Sequence, residues 1–308
     1  MSIARALFLR ASRSQWLAHN VMRRPFARRA VRRFMPGEEL SDALAAAQSL
    51  HAEGLGSLVT KLGENLTELQ EADQVRDHYL DALDQIRTRG LPTVISVKPT
   101  QLGLDLSYDS CAAHLETLAA KAASIGSTLW IDMEDSSYVD RTLKLYRGLK
   151  ERHEKVGLAI QSYLRRTPAD LASLMPLRPI IRLVKGAYAE PPHIAFADKR
   201  ETDLSYYQLA DTLLQAAARG QALPVFGTHD MGLIDRINGR AATLGVPDKG
   251  YEIHMLYGIR MDAQRTLARA GRTVATLISY GNAWWPWYMR RLAERPANVW
   301  FMMKALAK

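Results

Sequence analysis

The chain is short of the residues that build covalent or metal-held structure. Its one cysteine, Cys111, allows no internal disulfide, which fits a reducing compartment. Asp109 and His114 lie close to that thiol in sequence and invite a reactive reading, but a small core-facing side chain is the expected one. The eight histidines show no His-x-x-x-His spacing and no Cys-x-x-Cys occurs, so a structural metal site is not expected. Glycine patterns that cradle phosphates are missing as well. Gly54-Leu55-Gly56 lacks a third glycine and leads into a strand, so it is a turn, and there is no P-loop. The longest uncharged stretch, Thr273 to Met289, contains Gly281, Asn282 and Pro286, which argues against a membrane span. The apolar stretch Ala6 to Leu9 is too short for a signal-peptide core.

Acidic residues are absent from the first 37 positions, where nine arginines stand: Arg5, Arg10, Arg13, Arg23, Arg24, Arg28, Arg29, Arg32 and Arg33. The remainder is balanced, with 32 basic against 32 acidic residues, so the net charge of +9 belongs to an N-terminal arm. A transit peptide, a nucleic-acid arm and packed basic helices that touch anionic lipid all fit that charge. Ile3, Leu7, Trp16, Leu17, Val21, Phe26, Val31 and Phe34 give the arm an apolar side, which a solvated nucleic-acid tail does not need. Packed helices are therefore expected, and nucleic acid is not expected as a partner.

What the chain does have is eight short β-branched apolar runs, each followed by a helical pattern. They are Ser57-Lys61, Thr93-Lys98, Thr128-Met133, Gly157-Tyr163, Ile180-Lys185, Leu223-Thr228, Tyr251-Leu256 and Thr273-Tyr280. Intervening stretches have helical period, such as Tyr206, Leu209, Ala210, Leu213, Leu214 and Leu233, Ile237, Ala241, Leu244. Breakers such as Gly90, Pro92, Gly126, Pro179 and Gly220 stand where such units turn. The pattern predicts an α/β protein, a (β/α)8 barrel preceded by an all-helical segment up to about residue 55.

Active sites of such barrels lie at the C-terminal ends of the strands, and polar residues gather there. Lys98 closes the second run, Asp132-Met133-Glu134-Asp135 the third, Gln161 the fourth, Arg182 and Lys185 the fifth, Thr228-His229-Asp230 the sixth, and His254 and Tyr257 the seventh. Singly, each is more often a cap or a surface charge; Asp135, Ser136 and Asp230 suit helix caps. Arg182 lies inside an apolar run, where a charge needs a partner or a polar cavity. A buried ion pair with Asp132 and a ligand-facing role both answer that need. Beyond the last run, Arg290, Arg291 and Glu294 fall within one helical turn and can converge on one small ligand. Guanidinium forks suit a carboxylate and the glutamate suits an amine, which together would hold an amino acid by both ends. A solvated helix face with one salt bridge is the plainer reading.

The runs Ile131-Asp132-Met133-Glu134, Arg182-Leu183-Val184-Lys185-Gly186-Ala187-Tyr188, Phe226-Gly227-Thr228-His229, Leu256-Tyr257-Gly258 and Arg290-Arg291-Leu292-Ala293-Glu294-Arg295-Pro296-Ala297-Asn298 resemble, in order, those of proline dehydrogenase in its monofunctional bacterial form. The resemblance covers nearly the whole chain. It implies a distorted (β/α)8 TIM-like barrel that binds FAD without a Rossmann domain, with residues 1–55 as the basic helical segment and 56–308 as the FAD-binding catalytic domain. Arg182 would sit against the flavin near N5, with Met133, Gln161, Val184, Lys185, Gly186, Ala187, Thr228 and His229 lining the cofactor. Lys98, Arg290 and Arg291 would take the substrate carboxylate, Glu294 would stand near the amine, Asp132 would hold the basic cluster, and Leu256 and Tyr188 would wall the ring. Asp132 and Arg182 would form the catalytic pair. The implied reaction is oxidation of L-proline to 1-pyrroline-5-carboxylate by hydride transfer to the flavin, the first step of proline catabolism to glutamate. Electrons would pass to a membrane quinone from a cytoplasmic protein in peripheral contact with the inner membrane.

Two positions depart from the family pattern. The family commonly reads Tyr-Val-Pro-Tyr-Gly where this chain has Leu277-Ile278-Ser279-Tyr280-Gly281, and His254 stands in place of a glutamine. The first implies an altered substrate pocket; the second places an imidazole on the cofactor side of the barrel. Trp284-Trp285-Pro286-Trp287 reads as packing. Three other functions compete: oxidation of another cyclic amino acid, a Schiff-base aldolase using Lys98 or Lys185, and a basic nucleic-acid or membrane-surface module.

Overall fold

The structure, a computed structural model, describes residues 31–63, 66–285 and 288–289. The first helix that lies wholly within the described residues is α1, Leu40–Ala52, and eight parallel strands follow: β1 Gly56–Lys61, β2 Thr93–Val97, β3 Leu129–Ile131, β4 Val156–Gln161, β5 Ile180–Val184, β6 Leu223–Gly227, β7 Glu252–Leu256 and β8 Val274–Tyr280. They pair in sequence order and β8 closes on β1, Gly56 opposite Ala275 through Lys61 opposite Tyr280. Between them run α2 Leu69–Thr88, α3 Tyr108–Ser124, α4 Val139–Lys150, α5 Thr167–Leu174, α6 Lys199–Ala218, α7 Met231–Thr243 and α8 Met261–Arg269. The eight strands lie where the eight apolar runs predict them.

Alternation along the strands sorts the apolar residues into two clusters. Leu58, Trp130, Val225 and Ala275, with Val94, Ile180 and Leu277, fill the barrel interior. Val59, Ile95, Ile131, Leu183, Phe226 and Ile278 belong to the larger layer shared with the helices. β1, β7 and β8 end where their runs do, and β2 to β6 end a residue or two before them. β3 spans three residues rather than Thr128 to Met133: Asp132 makes one further bond, its N–H to the Val97 carbonyl at 2.8 Å, and then Asp135 accepts from the Ser137 N–H and turns the chain away. Polar side chains at these ends are thereby freed from the ladder while still held by it.

α1 buries Leu40, Ala43, Leu44, Ala47 and Leu50, a helical stripe, against β1 and β8. The helix before the first strand thus covers the seam where the barrel closes. Val31 and Met35 just upstream are buried too, so the apolar side of the basic arm packs from Val31 onward. The arm's other predicted contacts fall on residues 1–30, outside the described residues. Trp284 and Trp285 are buried, and Trp284 donates to Glu38 at 3.2 Å. Their packing role holds; Pro286 and Trp287 lie outside the described residues. Cys111 is fully buried with its Sγ 3.4 Å from the Pro99 carbonyl, and burial pushes its thiol up to about 12, so it is a core residue and no nucleophile.

Docking of α2 beside the seam places His78 Nε2 2.7 Å from the Tyr280 hydroxyl. Burial and the nearby Lys61 charge push this imidazole down to about 4 from its ordinary 6.5. As pH falls through 6.5 the unfolded chain takes up a proton that the folded protein refuses until about 4, so stability is lost across that window. Denaturation midpoints measured from pH 7 to 4.5 are expected to fall, and His78→Gln should flatten the fall by about 1–2 kcal/mol. An unchanged slope in the variant would assign the acid sensitivity elsewhere.

Candidate active site

The C-terminal ends of the strands open into one cavity of about 670 Å³. Lys98, Asp132, Met133, Gln161, Arg182, Val184, Lys185, Gly186, Ala187, Tyr188, Thr228, His229 and Leu256 all line it. Every described member of the predicted constellation therefore meets at a single space. Arg290, Arg291 and Glu294 lie outside the described residues. Other predicted end residues do different work. Glu134 is buried and accepts from the Thr100 N–H at 3.0 Å and hydroxyl at 2.6 Å, tying the loop after β3 to the loop after β2. Asp135 caps its own turn, and Tyr257 packs on the core beside the cavity. His254 lines the cavity, as does Leu277.

At the floor lies Arg182, only 4% exposed. Its Nη2 donates to Ser96 Oγ at 2.9 Å and to Asp132, and Ser96 in turn donates to Asp132 at 3.1 Å. The guanidinium carbon stands 4.7 Å above the centre of the Trp130 ring. Burial lowers Arg182 from its ordinary value while Asp132 opposes that, so the ion pair and the cavity-facing role hold together. Neither use of the arginine excludes the other.

Higher up, Lys185 donates to Asp203 at 2.5 Å and to Asp230 at 3.0 Å, and Lys199 joins Asp203. With its Nζ engaged by two carboxylates, Lys185 is not presented to a carbonyl as Schiff-base chemistry requires, so the aldolase role does not suit it. Asp230 does double duty, since it also accepts from the Leu233 N–H to cap α7. His229 Nε2 accepts from the Leu256 N–H at 2.9 Å, which places its ring proton on Nδ1 and joins the ends of β6 and β7. Gly186 has φ +107°, and a β-carbon there would lie 2.2 Å from the Tyr163 ring; the turn after β5 admits glycine alone.

Four buried polar atoms of cavity-lining residues have no hydrogen-bond partner among the described residues: Thr60 Oγ1, Gln161 Oε1, Arg182 Nη1 and His254 Nδ1. Buried polar groups are rarely left so unless a ligand completes them. Gln161 is held by its other end, donating to the Glu134 carbonyl at 3.1 Å.

The sequence reading missed Ser96, Trp130 and Glu252, each buried or half-buried inside the barrel. Each stands two positions before a residue it did identify, Lys98, Asp132 and His254, which is the one signal that could have found them: on a strand, i and i−2 share a face. Lys199 and Arg260 at the rim carry no such signal.

The family model for proline dehydrogenase matches residues 43–304. Proline dehydrogenase 1 of Bacillus subtilis (strain 168) is 37% identical over 281 residues, which cover 91% of this chain and 92% of that protein. The chain belongs to the proline dehydrogenase family. The proline dehydrogenase of Deinococcus radiodurans is similar at 34% identity over 281 residues, 90% of this chain and 89% of its own length. Among solved structures, proline utilization A (PutA) from Bdellovibrio bacteriovorus, inactivated by N-propargylglycine, superposes with a TM-score of 0.81 at 23% identity. That match covers 87% of this chain and 33% of the larger protein, and it shows a shared barrel fold. Membership of the proline dehydrogenase family makes this protein an oxidoreductase and ranks the nucleic-acid and surface-module readings below an enzyme.

Proposed function

We propose that the protein oxidises L-proline to 1-pyrroline-5-carboxylate with FAD as cofactor and a membrane quinone as electron acceptor. The observation that carries this reading is the Arg182 guanidinium, fixed by Asp132, Ser96 and Trp130 with Nη1 unspent, at the floor of the cavity in a chain of this family. The residues suit a flavin: Gln161, Arg182 and His254 offer one acceptor, one donor and one imidazole nitrogen with no other use, which a ring edged with heteroatoms can satisfy. Met133, Val184, Lys185, Gly186, Ala187, Thr228 and His229 would complete its walls. When bound, the flavin would supply the hydride acceptor.

The chain's own residues position and prepare the substrate. Lys98, with Arg290 and Arg291, would take the carboxylate as charge-assisted partners. Leu256 and Tyr188 would wall the ring and exclude water, so that the carbon next to nitrogen is held in place for transfer. The amine must be neutral for its lone pair to assist, and Glu294 is the acceptor assigned to its proton. Asp132 and Arg182 form the catalytic pair, Asp132 holding the cation and Arg182 favouring the negative charge that builds at the centre. Residues 56–308 would form the FAD-binding catalytic domain. Residues 1–55 would bring a basic, partly apolar surface to the inner membrane from the cytoplasmic side. None of the described helices is long and apolar enough to cross a membrane, which suits a peripheral contact.

Anaerobic addition of proline to the FAD-loaded protein should bleach the long-wavelength flavin band, and a preparation that takes up no FAD would sink the proposal. Arg291→Met should raise KM for proline by about two orders of magnitude, the scale of a lost charge-assisted pair, with kcat little changed. Leu277 on the cavity wall favours a second reading, activity on a bulkier cyclic amino acid. Comparison of kcat/KM for proline and its six-membered homologue separates the two.

A further inference from the structure

The interior of the barrel below Arg182 is not filled by aliphatic side chains alone. Trp130, 3% exposed, divides the apolar floor formed by Leu58, Val225 and Ala275 from the polar site above. Its indole face lies under the Arg182 guanidinium at 4.7 Å, and the His254 ring meets it edge-on, centroids 5.5 Å apart and planes at 69°. His254 Nε2 is 2.9 Å from the Glu252 carboxylate. Across the ladder from Trp130 stands Gly157, where a β-carbon would come within 2.6 Å of the indole; the missing side chain makes the room that the indole uses. Arg182 is gripped by polar partners through Nη2 alone. Two bonds to one nitrogen leave a planar guanidinium free to tilt about that point, so its angle needs another constraint. The indole face supplies one.

We propose that Trp130 and His254, anchored by Glu252, form a platform that sets the height and tilt of Arg182, which makes them positioning residues for the group Arg182 touches. This rests on the reading of Arg182 as the flavin contact. Glu252 accepts a hydrogen bond from Nε2–H, and burial beside the Arg182 cation disfavours the charged imidazole: burial and Arg182 both lower His254, with Glu252 opposing them. A neutral ring can stand edge-on to the indole without competing with the arginine for its face. Desolvated cation-π contacts of this kind are the strong ones, so loss of the face is expected to matter.

The test compares Trp130→Phe, Trp130→Leu and Arg182→Met in the full chain loaded with FAD, reading the potential of the bound flavin and kcat and KM separately. Trp130→Leu should lower kcat about thirty-fold and move the potential negative, since a displaced cation favours the reduced flavin less, while KM for proline stays within about three-fold. Trp130→Phe keeps a ring face and should restore most of both. A residue that only fills space would alter thermal stability and leave potential and kcat as they were; that result in folded Trp130→Leu overturns the platform. Should that variant fail to fold, a crystal structure of the FAD-bound wild type decides the matter: the platform requires the guanidinium still stacked on Trp130, and its departure from the indole overturns the inference. Arg182→Met separates the two layers of argument. If it leaves potential and kcat unchanged, the flavin contact itself is wrong, whereas a changed Arg182→Met with a silent Trp130→Leu removes the platform alone.

Discussion

Arg182→Met should leave a folded barrel that has lost most of its turnover, with kcat/KM for proline down about a thousand-fold, the scale of removing a preorganised charge from a developing-charge site. Methionine keeps the unbranched stem and its volume, so the interior around Trp130 and Gly227 stays filled. The variant leaves Asp132 without its cation. That carboxylate lines the cavity with its side chain 19% exposed, so water can replace the lost partner, and the stability cost should be only about 1–2 kcal/mol. Steady-state kinetics beside a denaturation curve measures both numbers. A large stability loss with modest loss of turnover would mean that the arginine is a structural strut.

Asp132→Ala should show the opposite balance. Removing the carboxylate leaves Arg182 as a cation 4% exposed, with Ser96 and an indole face as its remaining partners. An uncompensated buried charge of that kind costs about 3–5 kcal/mol. The single variants are thus expected to be unequal in stability although they break the same bond, because one leaves its orphan at the cavity and the other leaves it in the barrel interior. Urea denaturation of both and of the double variant closes the cycle, and the double variant should be more stable than Asp132→Ala. Equal destabilisation by the two single changes would contradict this burial asymmetry.

The site was legible in the sequence wherever a polar residue ended an apolar run. Lys98, Asp132, Gln161, Lys185, Thr228 and His229 announce themselves in that way, and all line the cavity. The rule failed at Glu134 and Asp135, which share the same short segment yet serve as a clamp and a cap. Consecutive residues leaving a strand point in different directions, and only the path of the loop says which one faces inward. Arg182 shows the other limit. Its run demanded a partner or a cavity, and the tertiary structure supplied both.

By itself the sequence determined the eight-fold alternation of strand and helix, the seclusion of positive charge in the first 37 residues and the cysteine's inert placement, since hydrophobic period, composition and count are local properties. Tertiary structure alone decided that α1 covers the seam between β8 and β1, that Glu134 faces Thr100, and that Trp130, Gly157, Glu252 and His254 meet beneath Arg182. These contacts join strands far apart in the chain, and their partners are chosen by the closure and stagger of the barrel, which no single stretch of sequence encodes.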